Sequence, residues 1–115
     1  MLYESVITAP TRKRLGEYYT PDWLAERIVT TVIERPLETR VLDPACGSGT
    51  FLFHAARRYL AAAEDAGRSL ESALSGLTLH VLGMDLHPVA VTLARVTYLL
   101  AIGRDRLTHP DRGPI

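Results

Sequence analysis

The 115-residue sequence has no asparagine, a single cysteine (Cys46) and a single lysine (Lys13). One cysteine excludes an internal disulfide and is typical of a reducing compartment. Because 13 acidic side chains balance 13 basic ones, the formal net charge is +0, and no overall field attracts the chain to nucleic acid or membrane. No apolar run approaches the ~18 residues that span a bilayer, and no secretory segment begins the sequence. We therefore expect a soluble, cytoplasmic protein without a membrane partner.

The overall composition is typical of one globular domain. Apolar residues make up 47% of the chain and charged residues 23%, which are ordinary fractions for a folded protein. A chain of this length suffices for one domain with a buried core. The pattern predicts an N-terminal arm over 1–15, a domain over 16–103 and a loop or tail over 104–115.

The arm combines weak apolar periodicity with a short basic run. Residues 2–7 have the spacing for one or two helical turns, and Arg12, Lys13 and Arg14 follow. Such a run is either a solvated tether or a contact to the phosphates of a polyanion such as DNA, which positions but does not specify sequence. Three charges leave both interpretations open.

Helix and strand signals alternate through the domain. Thr20 can cap a first helix with Pro21 at its first position, and Pro36 stops it. The apolar stripe of that helix has helical spacing: Trp23, Leu24, Ile28, Val29, Val32 and Ile33. A short strand is predicted over 39–42 and a second helix from about Thr50 to Ala66, ending at Gly67.

The second half of the domain repeats this alternation. We predict a short helical piece over 69–74, a second strand over 77–85 and a third helix from Pro88 to about Ile102. The order helix, strand, helix, strand, helix is typical of a right-handed βαβ unit with a leading helix. The predicted fold class is therefore α/β with a parallel sheet, and both strands carry an aspartate, Asp43 and Asp85, toward the edge where ligands bind.

A glycine-rich segment, Asp43–Gly49, joins the first strand to the second helix. Its glycines let the backbone turn tightly and approach a ligand, and the helix that follows offers unpaired N–H groups. A P-loop needs Lys and then Ser or Thr after its last glycine, and a dinucleotide fingerprint needs glycine at the position of Leu52. Both phosphate patterns fail, whereas an acid before the glycines suits a ligand with an ammonium group. A tight turn without a ligand is the alternative.

Three segments together resemble a known family. The sequence Asp-Pro-Ala-Cys-Gly-Ser-Gly over 43–49 is similar to the S-adenosylmethionine motif of N6-adenine DNA methyltransferases of restriction–modification systems, in particular type I modification subunits and fused restriction–methylation enzymes. Residues 16–21 resemble the upstream cofactor motif of that family, and residues 83–88 its second-strand motif. The resemblance covers about 2–103. It implies the N-terminal part of a Rossmann-like class I methyltransferase domain, a leading helix plus βαβα, with an incomplete sheet.

The resemblance also implies roles for individual residues in binding S-adenosyl-L-methionine. Thr20 would meet the methionine carboxylate, Asp85 would accept both ribose hydroxyls, and Leu86 would pack on the adenine. Tyr19 would close the pocket. The methionine ammonium would be held by Asp43 with the backbone of the turn: Ala45, Cys46, Gly47, Ser48 and Gly49.

Structural alternatives stand beside these roles. Thr20 could serve only as a helix cap, and Asp85 could only cap the helix after Pro88. Cys46 is more typical of a small packing residue than of a nucleophile, and His54 of a structural or surface residue. No metal site is predicted. The interval from the glycine turn to Asp85 exceeds the usual ~20 residues, and the helical piece over 69–74 accounts for the excess.

Catalysis in the resembled family depends on an (Asn/Asp/Ser)-Pro-Pro-(Tyr/Phe) loop that binds the flipped target base. This sequence has no asparagine and no Pro-Pro dipeptide, so no catalytic residue is predicted. The resemblance implies a cofactor-binding portion of an enzyme that acts on double-stranded DNA, and this portion is expected to be inactive alone. Whether a specificity or nuclease subunit or domain accompanies it is left open by the sequence. Two alternatives are a subunit completed by a partner chain and a non-catalytic DNA-binding or scaffold module.

The predicted sheet has an unpaired edge. In a doubly wound sheet the first strand has neighbours on both sides, but Val41 and Leu42 would have one only. An exposed apolar edge is a template for pairing with another chain. We therefore expect the isolated chain to self-associate, or the arm or tail to cover that edge.

Overall fold

The computed structural model describes residues 20–108. Predictions for the arm with its basic run, for 16–19 and for the tail from residue 109 onward lie outside the described residues. Within them, five helices and two strands follow the chain: α1 (Asp22–Val32), β1 (Val41–Asp43), α2 (Thr50–Asp65), α3 (Leu70–His80), β2 (Val81–Gly83), α4 (Pro88–Ile102) and α5 (Arg104–Leu107).

The two strands form a parallel pair, as the predicted α/β order requires. Val41 pairs with Val81, and Leu42 with Leu82, and the connection between the strands runs through α2 and α3. Val81 is buried beneath the helices, but Leu42 and Leu82 on the opposite face are 56% and 51% exposed. The result is a helix-rich α/β structure in which one face of a small parallel sheet is uncovered.

Helix α2 is the centre of the core. It packs against α1, α3, α4 and both strands, because its apolar residues recur at the 3.6-residue period on more than one face. Burying one leucine such as Leu60 stabilises the fold by about 2 kcal/mol. The buried residues of this helix are Thr50, Leu52, Ala55, Ala56, Tyr59, Leu60 and Ala63.

Local signals set both ends of α2. Gly49 precedes it at φ 88°, and Gly67 follows it at φ 73°. The N–H of Gly67 donates to the Glu64 carbonyl at 3.0 Å, and the N–H of Arg68 to the Ala63 carbonyl at 3.0 Å. This is a Schellman arrangement with glycine in the left-handed position. The predicted start at Thr50 and the glycine stop are confirmed.

The second strand is much shorter than predicted. Residues 77–80 belong to α3, so a strand over 77–85 is wrong, and only 81–83 are extended. Ser69 caps α3 by accepting the Ser72 N–H at 3.2 Å. Leu77 continues the buried period of Ala73 and Leu74. Packing on α2 therefore extends the helix through a segment whose alternation also fits a strand.

The predicted start of α1 is also wrong. The helix begins at Asp22, Pro21 occupies the cap position, and no side chain caps it, so Thr20 is not the N-cap. The Pro21 carbonyl instead accepts the N–H groups of Leu24 and Ala25, both at 3.1 Å.

The apolar stripe of α1 is narrower than predicted. Trp23 is 65% exposed and Val32 70% exposed, so the prediction that they share the core face is wrong. The buried positions are Ala25, Val29 and Ile33, at i, i+4 and i+8. The reason is that, among the described elements, α1 has extensive contacts with α2 alone, and one neighbouring helix covers only one narrow stripe.

A short helix, α5, stands where the sequence predicts the start of a loop. Gly103, at φ 88°, separates it from α4. The Arg106 side chain donates to the Ile102 carbonyl at 2.7 Å and binds the Glu64 carboxylate at the end of α2. Among the helices described, none is long and apolar enough to cross a membrane.

Candidate functional site

The loops that follow the two strands meet at one edge of the sheet. The N–H of Met84 donates to the Asp43 carbonyl at 2.9 Å, and the N–H of Cys46 donates to the Met84 carbonyl at 2.9 Å. These bonds continue the parallel ladder beyond its last strand residues. The glycine turn and the loop after β2 are therefore one joined surface, at the edge where parallel sheets bind ligands.

The two glycines of the turn have different requirements. Gly47 has φ 53° and Gly49 φ 88°, and both values lie in the left-handed region that favours glycine. A Cβ at Gly49 would lie 3.2 Å from the Ala94 Cα, whereas a Cβ at Gly47 would have no neighbour within 4 Å in the described part of the chain. Gly49 thus permits close packing of α2 on α4, and the space above Gly47 is open.

Asp85 bridges the two loops through its carboxylate. Its Oδ2 accepts the Gly47 N–H at 2.9 Å, and its Oδ1 accepts the His87 N–H at 2.8 Å. His87, not Asp85, is the N-cap of α4, because its Nδ1 accepts the Ala90 N–H at 3.4 Å. The capping alternative for Asp85 is therefore wrong.

The carboxylates make this edge electronegative. Asp43 lies at the start of the turn, where its Oδ1 accepts the Ala45 N–H at 3.2 Å. Within residues 20–108, neither Asp43 nor Asp85 has an ion-pair partner. Two carboxylates without an ion-pair partner among these residues suit a ligand group with positive charge and disfavour a pyrophosphate.

The same two carboxylates act on the thiol of Cys46. Its side chain is buried in the core cluster, as the packing interpretation predicts. Burial, and then the negative charges of Asp85 and Asp43, raise the pKa of its thiol from 9.0 to about 11. Since the thiolate is the reactive form, Cys46 is an inert packing residue at neutral pH.

We expect slow alkylation of Cys46 in the folded chain. With a pKa of about 11, the thiolate fraction near pH 8 is roughly 100-fold below that of a thiol with pKa 9.0. Iodoacetamide labelling followed by mass spectrometry measures the rate, and the chain unfolded in urea is the control. Equal rates in the folded and unfolded chains would contradict the shielded site.

Apolar surface surrounds Asp85. Met84 is more than half exposed and Leu86 fully exposed, although both are large apolar side chains. A groove of about 510 Å³ follows β2 and α4, and Cys46, Leu82, Asp85 and Leu99 are among its lining residues. The polar lining groups are few, Thr78, Asp85, Arg95 and Tyr98, and apolar walls with a few polar groups are typical of sites for small organic ligands.

A contact that the sequence did not indicate fixes the start of α1. Nε2 of His54, on α2, lies 2.8 Å from Oδ1 of Asp22, and the His54 side chain is largely buried. The contact holds the beginning of α1 beside the first turns of α2. Thr20 lies two residues before Asp22. It is therefore near the N-terminal end of α2, which follows the glycine turn.

The structure brings most predicted site residues into the joined loops. The side chain of Ser48 is buried, and its Oγ lies 3.4 Å from the Thr50 Oγ1. Ser48 could therefore contact a ligand only through its backbone. Tyr19 lies outside the described residues. Within 20–108, no group of three or more His, Cys, Asp or Glu side chains could hold a metal ion. Asp43 ends β1, and the predicted residues in the two loops are Ala45, Cys46, Gly47, Ser48, Gly49, Asp85 and Leu86.

The glycine turn and the acid lie at the carboxyl edge of parallel strands, where α/β proteins commonly bind ligands. Comparison with known families makes this more specific. Residues 2–107 match the family model described as N-6 DNA Methylase. The chain therefore belongs to the N-6 DNA methylase family, and the resemblance drawn from the three motifs is confirmed.

Two relatives agree with this membership. The chain is 30% identical over 108 residues to the adenine-specific methyltransferase PglX of Streptomyces coelicolor, covering 87% of this chain and 9% of the relative. It is 41% identical over 49 residues to the type I restriction enzyme MjaVII methylase subunit of Methanocaldococcus jannaschii, and this match covers 43% of this chain and 8% of the relative. The matches thus span less than a tenth of either relative. No solved structure matches the chain.

Proposed function

We propose that this chain binds S-adenosyl-L-methionine as the cofactor portion of a DNA adenine-N6 methyltransferase of a restriction–modification system. The domain would be a partial Rossmann-like class I methyltransferase fold. One observation carries the proposal: the Asp85 carboxylate is held beside the open Gly47 by two backbone N–H groups. Membership of the N-6 DNA methylase family supports it.

The charge at the site favours this ligand over a nucleotide. S-adenosylmethionine has two positive groups, a sulfonium and an ammonium, and one negative carboxylate, so its net charge is positive. When bound, it supplies the methyl group for transfer to an amine. Asp43 and the turn would hold the ammonium, and Thr20 would meet the ligand carboxylate. Phosphates would be repelled by Asp43 and Asp85.

The ribose and adenine have matching partners. The two carboxylate oxygens of Asp85 can accept two neighbouring hydroxyls, a bidentate geometry that suits a diol. The exposed Leu86 side chain would cover the adenine ring, and Tyr19 would close the pocket.

Methyl transfer would require residues other than those of this chain. The sequence has no Pro-Pro dipeptide and no asparagine, so the loop that holds a flipped adenine would come from further residues of a longer protein or from a partner chain. Double-stranded DNA would be the substrate of that complete enzyme. One relative is a type I methylase subunit, which makes a specificity or nuclease subunit a reasonable partner to test.

Calorimetry and a transfer assay test the proposal together. Titration of the 115-residue chain with S-adenosylmethionine should show binding, and ATP, which shares the adenosine, should bind at least ~10-fold more weakly because of its phosphates. Labelled S-adenosylmethionine and unmethylated DNA should give no methylated product. Equal or tighter ATP binding contradicts the site, and salt-sensitive DNA binding without cofactor binding would favour the scaffold alternative.

The uncovered sheet face supports a second proposal, that the isolated chain self-associates. Leu42 and Leu82 lie opposite each other on that face and are both more than half exposed. Size-exclusion chromatography with light scattering should show species larger than a monomer, and Leu82→Lys should shift them toward the monomer, because a charge opposes apolar sheet association. A clean monomer at every concentration of the unmodified chain would contradict this.

A further inference from the structure

We propose that Asp85 positions the glycine turn before any ligand binds, in addition to binding ribose; the inference rests on the proposed function. Its carboxylate joins two backbone N–H groups far apart in sequence, with Gly47 on Oδ2 at 2.9 Å and His87 on Oδ1 at 2.8 Å. The chain separation between Asp85 and Gly47 is 38 residues. The bond therefore fixes one loop relative to the other.

The turn has few other constraints at Gly47. Its neighbours are held by backbone bonds, from the Cys46 N–H to the Met84 carbonyl and from the Gly49 N–H to the Cys46 carbonyl. No atom of residues 20–108 lies within 4 Å of the Cβ position of Gly47, so packing by these residues does not restrain it. Glycine also loses more conformational freedom on ordering than any other residue. Among the described residues, Gly47 has two side-chain contacts, a weak one from the Cys46 thiol to its carbonyl at 3.8 Å and the bond from its N–H to the Asp85 carboxylate. The charged acceptor, with bonds about twice as strong as neutral ones, is the stronger restraint.

The carboxylate can perform both tasks at once. Its two oxygens offer about four acceptor positions, and the N–H groups of Gly47 and His87 take one on each oxygen. One position per oxygen is left for a diol. An asparagine at this position would have one acceptor oxygen, and its NH₂ group would face one of the two N–H donors, so Asp85→Asn loses a backbone bond as well as the charge.

A ligand without ribose hydroxyls separates positioning from ribose binding. The probes are S-adenosylhomocysteine and its 2′,3′-dideoxy analogue, titrated into the unmodified chain and into Asp85→Asn. If Asp85 contacts only the hydroxyls, the substitution leaves the affinity for the analogue unchanged. If it also positions the turn, the analogue should bind about tenfold more weakly to Asp85→Asn, as expected for loss of a hydrogen bond to a charged group. An unchanged affinity overturns the inference.

Amide hydrogen exchange in the ligand-free chain tests the inference independently of cofactor binding. In Asp85→Ala, which removes the acceptors of both N–H groups, the Gly47 amide should exchange at least about tenfold faster than in the unmodified chain, since local opening sets exchange. Asp65→Ala changes an exposed acid at the far end of α2 and should have no effect there. Unchanged Gly47 exchange in a folded Asp85→Ala chain overturns the inference. Faster exchange in a chain that binds no cofactor supports positioning and refutes the proposed function instead.

Discussion

Replacing Asp85 by alanine should remove measurable binding of S-adenosylmethionine. The substitution deletes the two acceptors proposed for the ribose hydroxyls and the bond to Gly47. Hydrogen bonds to charged groups contribute about 1.5–3 kcal/mol each, so loss of the ribose pair alone weakens binding roughly 10²–10⁴-fold. Isothermal titration calorimetry measures the change.

The control for that result is another carboxylate on the same chain. Asp65 is exposed at the end of α2, and Asp65→Ala should bind with the affinity of the unmodified chain. Circular dichroism of Asp85→Ala should show a folded protein, because the Asp85 side chain is only partly buried. A folded Asp85→Ala variant that retains nearly full affinity would contradict the ribose role.

Replacing Gly76 by alanine should be among the most destabilising single substitutions. An added Cβ at Gly76 would lie 2.0 Å from the Tyr59 hydroxyl oxygen and 3.0 Å from its Cζ, and Tyr59 is 1% exposed, so its ring has little room to move. Overpacking costs about 3 kcal/mol at its usual upper end, offset by about 1 kcal/mol of helix propensity. We expect a net loss of about 2 kcal/mol in unfolding free energy, measured by urea denaturation.

A double-mutant cycle identifies the clash as the cause. Tyr59→Phe removes the hydroxyl oxygen, the nearest atom to the added methyl, and loses only a 3.4 Å contact from Arg68. In the Tyr59→Phe background, Gly76→Ala should therefore cost at least about 1 kcal/mol less. The same cost in both backgrounds would show that the close approach to Tyr59 is not responsible.

Local signals explain what the sequence could predict. Gly49 and Gly67 bracket α2, Pro88 opens α4 and Gly103 follows it, and each acts through its own backbone geometry. The predicted limits of α4 therefore coincide with the observed Pro88–Ile102. The order of motifs around the glycine turn was enough to indicate the family, which the family match confirms.

Tertiary packing explains what the sequence could not predict. The segment 77–80 has a pattern that fits both helix and strand, and only the burial of Leu77 against its neighbours makes this segment part of α3. The bond from Gly47 to Asp85 and the contact of His54 with Asp22 join residues 38 and 32 positions apart. No local periodicity pairs such residues, so the inner geometry of the candidate site required the structure.

The most direct measurement of the central claim is an amide chemical-shift map of the chain titrated with S-adenosylhomocysteine. The cofactor proposal predicts the largest shifts at Gly47, Gly49, Asp85 and Leu86, in the two loops at the carboxyl edge of the sheet. It predicts little change at Gly67, at the opposite end of α2. Shifts confined to the region of Gly67, or no shifts in the two loops at saturating ligand, would contradict the claim that this edge holds the methyl donor.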